Sequence, residues 1–196
     1  WWIWLIVLIG ESASGKSTIE KELIKNFKYE KVITFTTRPI RDGEQDGKDY
    51  WFVSKNEFNA LKNRQRFFET AEYNGWQYGS PIIKDPKDKV IIVTPKGLRA
   101  LQRTYNKKDF VSIYVKTPRR ERLIRLLKRG DDIEEAYRRS LSDVGMFDGI
   151  EREVDVVVNN TDNHNIHTLC CNIDYYNKHI KDGDDYWLKK YISLVV

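Results

Sequence analysis

Cysteine is nearly absent from this chain: its two, Cys170 and Cys171, are adjacent. Neighbours of that kind rarely bridge and match no metal-ligand spacing, so a disulfide scaffold and a zinc site are both disfavoured. A reducing, cytoplasmic compartment is the expectation. Long apolar runs are missing as well. The opening Trp1-Trp2-Ile3-Trp4-Leu5-Ile6-Val7-Leu8-Ile9 is too short to span a bilayer and lacks the basic start and cleavage site of a signal peptide, so no membrane partner is expected. There is no Lys/Arg run to concentrate the net charge of +5, and no nucleic-acid-binding motif. The basicity suits an anionic partner but does not by itself choose among a nucleotide, a nucleic acid and a membrane surface; a nucleic-acid role ranks last for want of a motif. Internal repeats and low-complexity segments are also absent.

What is present is an ordinary globular composition, 196 residues with 40% hydrophobic and 32% charged side chains. That length suits one domain with a real core. The β-branched and aromatic opening, stopped by Gly10, reads as a buried strand. Ile19, Leu23, Ile24 and Phe27 then recur at helical spacing. From Lys31 to Pro81 short extended pieces alternate with turn pairs (Asp42-Gly43, Asp46-Gly47, Asn74-Gly75). Tyr50–Val53 and Phe67-Phe68 read as strands there, and the capping-box pattern Ser54 to Glu57 predicts a helix over 55–63. Val90–Val93 and Phe110–Val115 are continuous apolar strands. Thr94-Pro95 and Thr117-Pro118 each open a helix, the second carrying Leu123, Ile124, Leu126 and Leu127. A strand at Val154–Val158 and a helix after Asn165 complete a β/α alternation, which implies a doubly wound parallel α/β sheet. The tail from Gly183 has no evident role.

Gly10-Glu11-Ser12-Ala13-Ser14-Gly15-Lys16-Ser17-Thr18 satisfies G-x-x-x-x-G-K-S/T between that first strand and first helix. The glycines let backbone N–H groups turn inward onto phosphate oxygens, and the helix start adds its positive end. Lys16 is placed to reach the β- and γ-phosphates of a nucleoside triphosphate, and the Ser17 hydroxyl to ligate Mg²⁺. A second constellation lies in Thr34-Phe35-Thr36-Thr37-Arg38-Pro39-Ile40-Arg41-Asp42-Gly43-Glu44 and onward to Tyr50. Two guanidinium forks three residues apart suit a phosphate dianion, with a phenol nine residues on as a further donor. On their own, two such arginines are equally well solvated surface charges.

The segment from Thr36 is similar to the T-T-R-x-P-R-x-G-E-x-x-G-x-D-Y-x-F-V signature of guanylate kinases, with Pro39 one place early. Glu69-Thr70-Ala71-Glu72-Tyr73-Asn74-Gly75-Trp76-Gln77-Tyr78-Gly79-Ser80 resembles that family's E-x-A-x-x-x-G-x-x-Y-G-S/T segment, and likeness continues through Arg129-Gly130 to Val156–Asn160. The resemblance implies a P-loop NTPase-type fold with three parts. These are a core (1–31, 83–118 and 146–196), an inserted nucleotide-monophosphate-binding subdomain (32–82) and a helical lid (119–145). It implies phosphoryl transfer from ATP, with Mg²⁺, to GMP or dGMP in a monomer or homodimer. Under it, ATP is held by Gly10 to Thr18 and by Asn159. The acceptor phosphate meets Arg38, Arg41, Tyr50 and Tyr78, and guanine is read by Thr34, Glu69 and Ser80. Lys16, Arg129 and Arg139 assist transfer.

The family pattern is broken at two places. Ile92 and Thr94 stand where a D-x-D pair is usual, and Ser140 stands where a lid arginine precedes the leucine matching Leu141. Metal binding would then rest on Ser17, water and the phosphates. A relaxed-specificity nucleotide kinase and a non-catalytic binding module are the alternatives.

Overall fold

The computed structural model describes residues 4–73, 75–129 and 133–179, with the side chains of Tyr73, Glu135, Ala136 and Arg139 outside that description. The tryptophans before Trp4, Asn74 of the third turn pair, Gly130 to Asp132 and the tail from Gly183 thus lie outside the described residues.

A five-stranded parallel sheet forms the centre, in the order β2 (Glu30–Lys31), β7 (Lys89–Ile92), β1 (Leu5–Ile9), β8 (Phe110–Lys116) and β9 (Val156–Asn159). The run of β1 is apolar throughout because both its faces are covered. Ile6 and Leu8 enter a cluster with Ile19, Leu23, Leu169 and Ile173, from helices α1 (Lys16–Phe27) and α6 (Ile166–His179). Leu5, Val7 and Ile9 enter the opposite cluster with Leu98 and Leu101 of α3 (Pro95–Thr104) and with Ile150. Alternate residues therefore serve alternate layers, as the strand period requires. Helices on both faces bear out the doubly wound α/β reading.

A second, mixed sheet of order β4 (Trp51–Phe52), β3 (Phe35–Thr36), β6 (Trp76–Pro81), β5 (Phe67–Tyr73) is built from the turn-rich stretch. Helix α2 (Lys55–Asn63) joins it, and its predicted capping box is present with both hydrogen bonds made. Phe58 is its one buried residue and stacks on Phe67 at 4.9 Å.

Several expectations need adjusting. Strand β5 is much longer than Phe67-Phe68, since it pairs with β6 up to Tyr73 opposite Trp76. Strand β4 is only two residues long, and β9 begins at Val156 rather than Val154. Ile24, expected on the apolar face of α1, is 36% exposed. In α4 (Arg119–Lys128) Leu126 is buried but Leu127 is exposed, and the other buried side chain is Arg122. Apolar periodicity missed that choice because Arg122 is buried by charge pairing, described below. Helix α5 (Ile133–Ser142) follows. No helix among the described residues is long and apolar enough to cross a membrane.

Candidate active site

The glycine loop sits at the C-terminal end of the central strand β1, the end at which doubly wound sheets bind ligands. Its curl uses two left-handed residues, Ala13 (φ 60°) and Gly15 (φ 98°). A side chain at Gly15 would also collide with the Asn160 amide, so glycine is required there twice over. The N–H groups of Thr18 and Ile19 both bond back to the Gly15 carbonyl. Those of Lys16 and Ser17, at the start of α1, make no hydrogen bond among the described residues, which leaves them for an anion.

Lys16 folds back over the loop, its Nζ donating to the carbonyls of Gly10 and Glu11 at 2.7 Å each. Burial pushes its pKa down to about 8, against the carboxylates of Asp143 and Glu11, which favour the charged form. Ser17 and Thr18 are exposed in the first turn of α1.

The loop is fastened from behind by residues outside the motif. Asn160 Nδ2 donates to the Ser14 carbonyl at 2.8 Å, and the Thr117 hydroxyl lies 3.0 and 2.9 Å from the carbonyls of Ser14 and Asn160. Arg125 Nη2 adds a bond of 3.0 Å to Asn160 O. Asn159, expected to meet ATP, ends β9 half-buried, and its neighbour Asn160, to which no role was given, ties the loop down from behind. Both close the last apolar strand, and only the side-chain direction, which alternates along a strand, separates them.

In the second sheet Arg38 is 8% exposed, although its neighbours Pro39 and Ile40 are exposed. Its Nη2 donates to both oxygens of Glu44, at 2.7 and 2.9 Å, and Nη1 to the Pro39 carbonyl at 2.6 Å. Burial acts against the Glu44 charge, but the bonds from Arg38 and from the Arg41 N–H hold its pKa below the usual carboxylate value. The Arg38 guanidinium lies 5.6 Å from the ring centres of Tyr50 and Phe52, and Tyr50 meets Tyr78 edge-on at 6.3 Å. Arg38, Tyr50 and Tyr78 are thus brought together. The Arg41 side chain is exposed and its backbone joins the cluster, the N–H donating to Glu44 Oε2 and the carbonyl accepting from the Glu44 N–H. Glu44 went unassigned in the sequence reading, although its place three residues after Arg41 carries the signal.

Two residues along β6 from Tyr78, on the same face, lies Ser80. Its hydroxyl donates to Glu69 Oε2 at 3.2 Å across the β5–β6 register. The other oxygen of Glu69, Oε1, is buried with no hydrogen-bond partner among the described residues. Burial raises the Glu69 pKa, opposed by the Ser80 bond and by Lys96. The Glu69 carboxyl carbon lies 3.6 Å from where a Cβ on Gly97 would stand, beside the first turn of α3. Thr34 is half-buried and offers its carbonyl to the Trp51 N–H at 2.8 Å; no contact of its side chain joins it to Glu69.

Among the expected transfer residues, Arg129 caps the C-terminus of α4 and is exposed. Arg139 belongs to α5, with its side chain outside the described residues. The two breaks in the family pattern are also placed. Thr94 Oγ1 accepts from the Gly97 N–H at 3.1 Å, capping α3. Ser140 is buried, its hydroxyl without a partner among the described residues.

Comparison with known proteins bears on the family. The guanylate kinase family model matches residues 4–172. A guanylate kinase of Clostridium tetani is 37% identical over 139 residues, covering 67% of this chain and 66% of that protein, just under two thirds of its length. A guanylate kinase of Malacoplasma penetrans is 29% identical over 170 residues, covering 82% of this chain and 87% of that protein. The crystal structure of guanylate kinase from Anaplasma phagocytophilum superimposes with a TM-score of 0.67 at 25% identity, over 93% of this chain and 89% of that one. The chain belongs to the guanylate kinase family.

Proposed function

We propose that the protein transfers a phosphoryl group from ATP-Mg to GMP or dGMP, giving ADP and the guanine nucleoside diphosphate. The observation that carries the acceptor assignment is the buried Oε1 of Glu69, which has no hydrogen-bond partner among the described residues. Leaving a buried carboxylate oxygen unmatched is costly, and the cost is recovered when a ligand supplies donors. The N1–H and 2-amino group of guanine are two adjacent donors; adenine offers an acceptor at N1. The Ser80 hydroxyl fixes the carboxylate, and Arg38, Tyr50 and Tyr78 supply the cation and phenols for the acceptor phosphate.

On the donor side, the loop N–H groups and Lys16 take the phosphate chain, and Lys16 exchanges its two carbonyl partners for phosphate oxygens. Phosphoryl transfer asks mainly for in-line placement and neutralised charge, so no protein nucleophile is needed. Mg²⁺, when bound, neutralises phosphate charge. No group of three or more acidic, histidine or cysteine side chains able to hold a metal exists among the described residues. The fit is therefore to the exposed Ser17 hydroxyl and the phosphates, as suits an ion that keeps most of its waters. In this reading the parts are the core (1–31, 83–118, 146–196), the acceptor subdomain (32–82) and the lid (119–145), with Arg129 and Arg139 assisting from the lid.

The test is a coupled assay with ATP-Mg against the common nucleoside monophosphates. Turnover with GMP and dGMP well above AMP, CMP and UMP is expected; equal turnover with AMP would refute the guanine assignment.

A further inference from the structure

The phosphate loop already holds an anion of its own. The Ser12 N–H donates to Asp143 Oδ2 at 2.8 Å, across 131 residues of chain. Asp143 directly follows α5, and its side chain is 11% exposed. The same oxygen lies 3.5 Å from Arg122 Nη1. Arg122 is buried, its Nε donating to the Thr117 carbonyl at 3.1 Å and its Nη2 standing 3.4 Å from Glu11 Oε1. Glu11 in turn accepts from the Tyr114 hydroxyl at 3.0 Å. Beside this cluster opens a cavity of about 460 Å³ lined by Arg119, Arg122, Ser140 and Asp143 among others. Of these, Ser140 has a buried hydroxyl with no hydrogen-bond partner among the described residues.

A carboxylate and a phosphate oxygen ask for the same things: an N–H donor and a guanidinium. Two anions cannot both take the single Ser12 N–H, and a phosphate oxygen brought against the Asp143 carboxylate there is repelled by it. A triphosphate chain entering the loop therefore meets Asp143 as a rival for the Ser12 N–H and for Arg122.

We propose that the Asp143 carboxylate is a built-in occupant of the phosphate loop, displaced when ATP binds, and that its departure hands Arg122 to the phosphates. This rests on the loop being the ATP site, as proposed above. Arg122 is then a phosphate-binding residue reaching the loop from α4, and Asp143 a competitor that scales apparent affinity down to the fraction of time it leaves the loop free.

The experiment is calorimetry with inorganic tripolyphosphate and with ATP in the absence of magnesium, on the parent chain and on Asp143→Asn and Asp143→Ala. Both variants are expected to bind about tenfold more tightly, the loss of a charged competitor's hydrogen bond. In the Asp143→Ala background, adding Arg122→Lys should weaken tripolyphosphate binding relative to Asp143→Ala alone. In the parent chain, the ¹³C resonance of the Asp143 carboxyl should move on saturation with tripolyphosphate; this reading needs no variant to fold. Unchanged or weaker affinity in folded Asp143 variants, or a stationary resonance, overturns the proposal and leaves the kinase reading standing. Failure of every form to bind either compound overturns both. Tighter binding in the variants without turnover on GMP supports the displacement and refutes only the acceptor assignment.

Discussion

Glu69→Gln should separate recognition of the base from stability of the fold. In the parent protein Oε2 is held by Ser80 and Oε1 is buried and unmatched among the described residues. Hydrogen bonds to a charged group contribute about 1.5–3 kcal/mol each. Glutamine keeps one acceptor but turns the other position into a donor, facing a guanine donor. A loss of about 3 kcal/mol in transition-state binding corresponds to a fall of roughly 150-fold in kcat/KM for GMP. AMP should gain, since an amide can donate to adenine N1 and accept from its amino group. The ratio of kcat/KM for GMP over AMP, measured at saturating ATP-Mg, is the readout. The raised pKa of Glu69 means that the folded protein binds this proton more tightly than the unfolded chain does. Its contribution to stability is present at low pH and lost as pH rises through the raised value, so once the group is ionised its charge is a cost to the fold. The variant should therefore melt no lower than the parent without nucleotide. A GMP/AMP ratio within threefold of the parent's would refute the role of Glu69.

Two further outcomes follow from the geometry. With the Lys16 pKa at about 8 in the free protein, ATP affinity should fall as pH rises above 8, because the cation that meets the phosphates is lost. Calorimetry at pH 9 in buffers of different ionisation heats should record net proton uptake on binding, and none would contradict the assignment; the Lys16 contribution to nucleotide-free stability runs the other way, rising from pH 8 to the ordinary lysine range, where the unfolded chain holds a proton that the fold does not. Glu44→Gln should raise the KM for GMP about tenfold with kcat little changed, since Glu44 positions Arg38 and touches no reacting atom; an equal fall in kcat at constant KM would sink that division of roles.

The architecture was legible where one physical signal dominated. Residues 5–9 are apolar at every position, which only a strand covered on both faces explains, and the Ser54–Glu57 box and Thr94-Pro95 are local hydrogen-bond grammar that survives in any tertiary setting. Illegible were features set by partners far apart in sequence. Arg122 is buried in place of an apolar residue because Glu11, Asp143 and the Thr117 carbonyl converge on it from three other elements. Asn160 and Asn159 carry the same side chain at adjacent positions, and only the strand's direction at its end decides which one reaches Ser14. Arg38 and Arg41 read alike, yet one is buried against two aromatic rings and the other is exposed. The Glu44 carboxylate divides them, taking the guanidinium of the first and only the N–H of the second.

Thr94 shows what the absent family aspartate does to the site's charge. Its hydroxyl is committed to the Gly97 N–H, the same residue against which the Glu69 carboxyl packs. An aspartate would cap α3 equally well, so helix stability cannot explain the threonine. What a carboxylate would change is the surroundings of Glu69, whose ionised form burial already disfavours; a second negative charge nearby would disfavour it further. Under the proposed function, threonine eases Glu69 toward the charged form that would accept from guanine, and a metal would rest on Ser17 and the phosphates. Thr94→Asp should invert that balance with the melting temperature unchanged. The magnesium concentration that half-saturates its effect on ATP binding, followed by calorimetry, should fall about tenfold, the scale of a charge pair about 4 Å apart that is screened by water. The KM for GMP should rise most at the acid end of the pH range, where Glu69 is then protonated. An unchanged magnesium requirement together with an unchanged KM at low pH would mean that position 94 is only a helix cap.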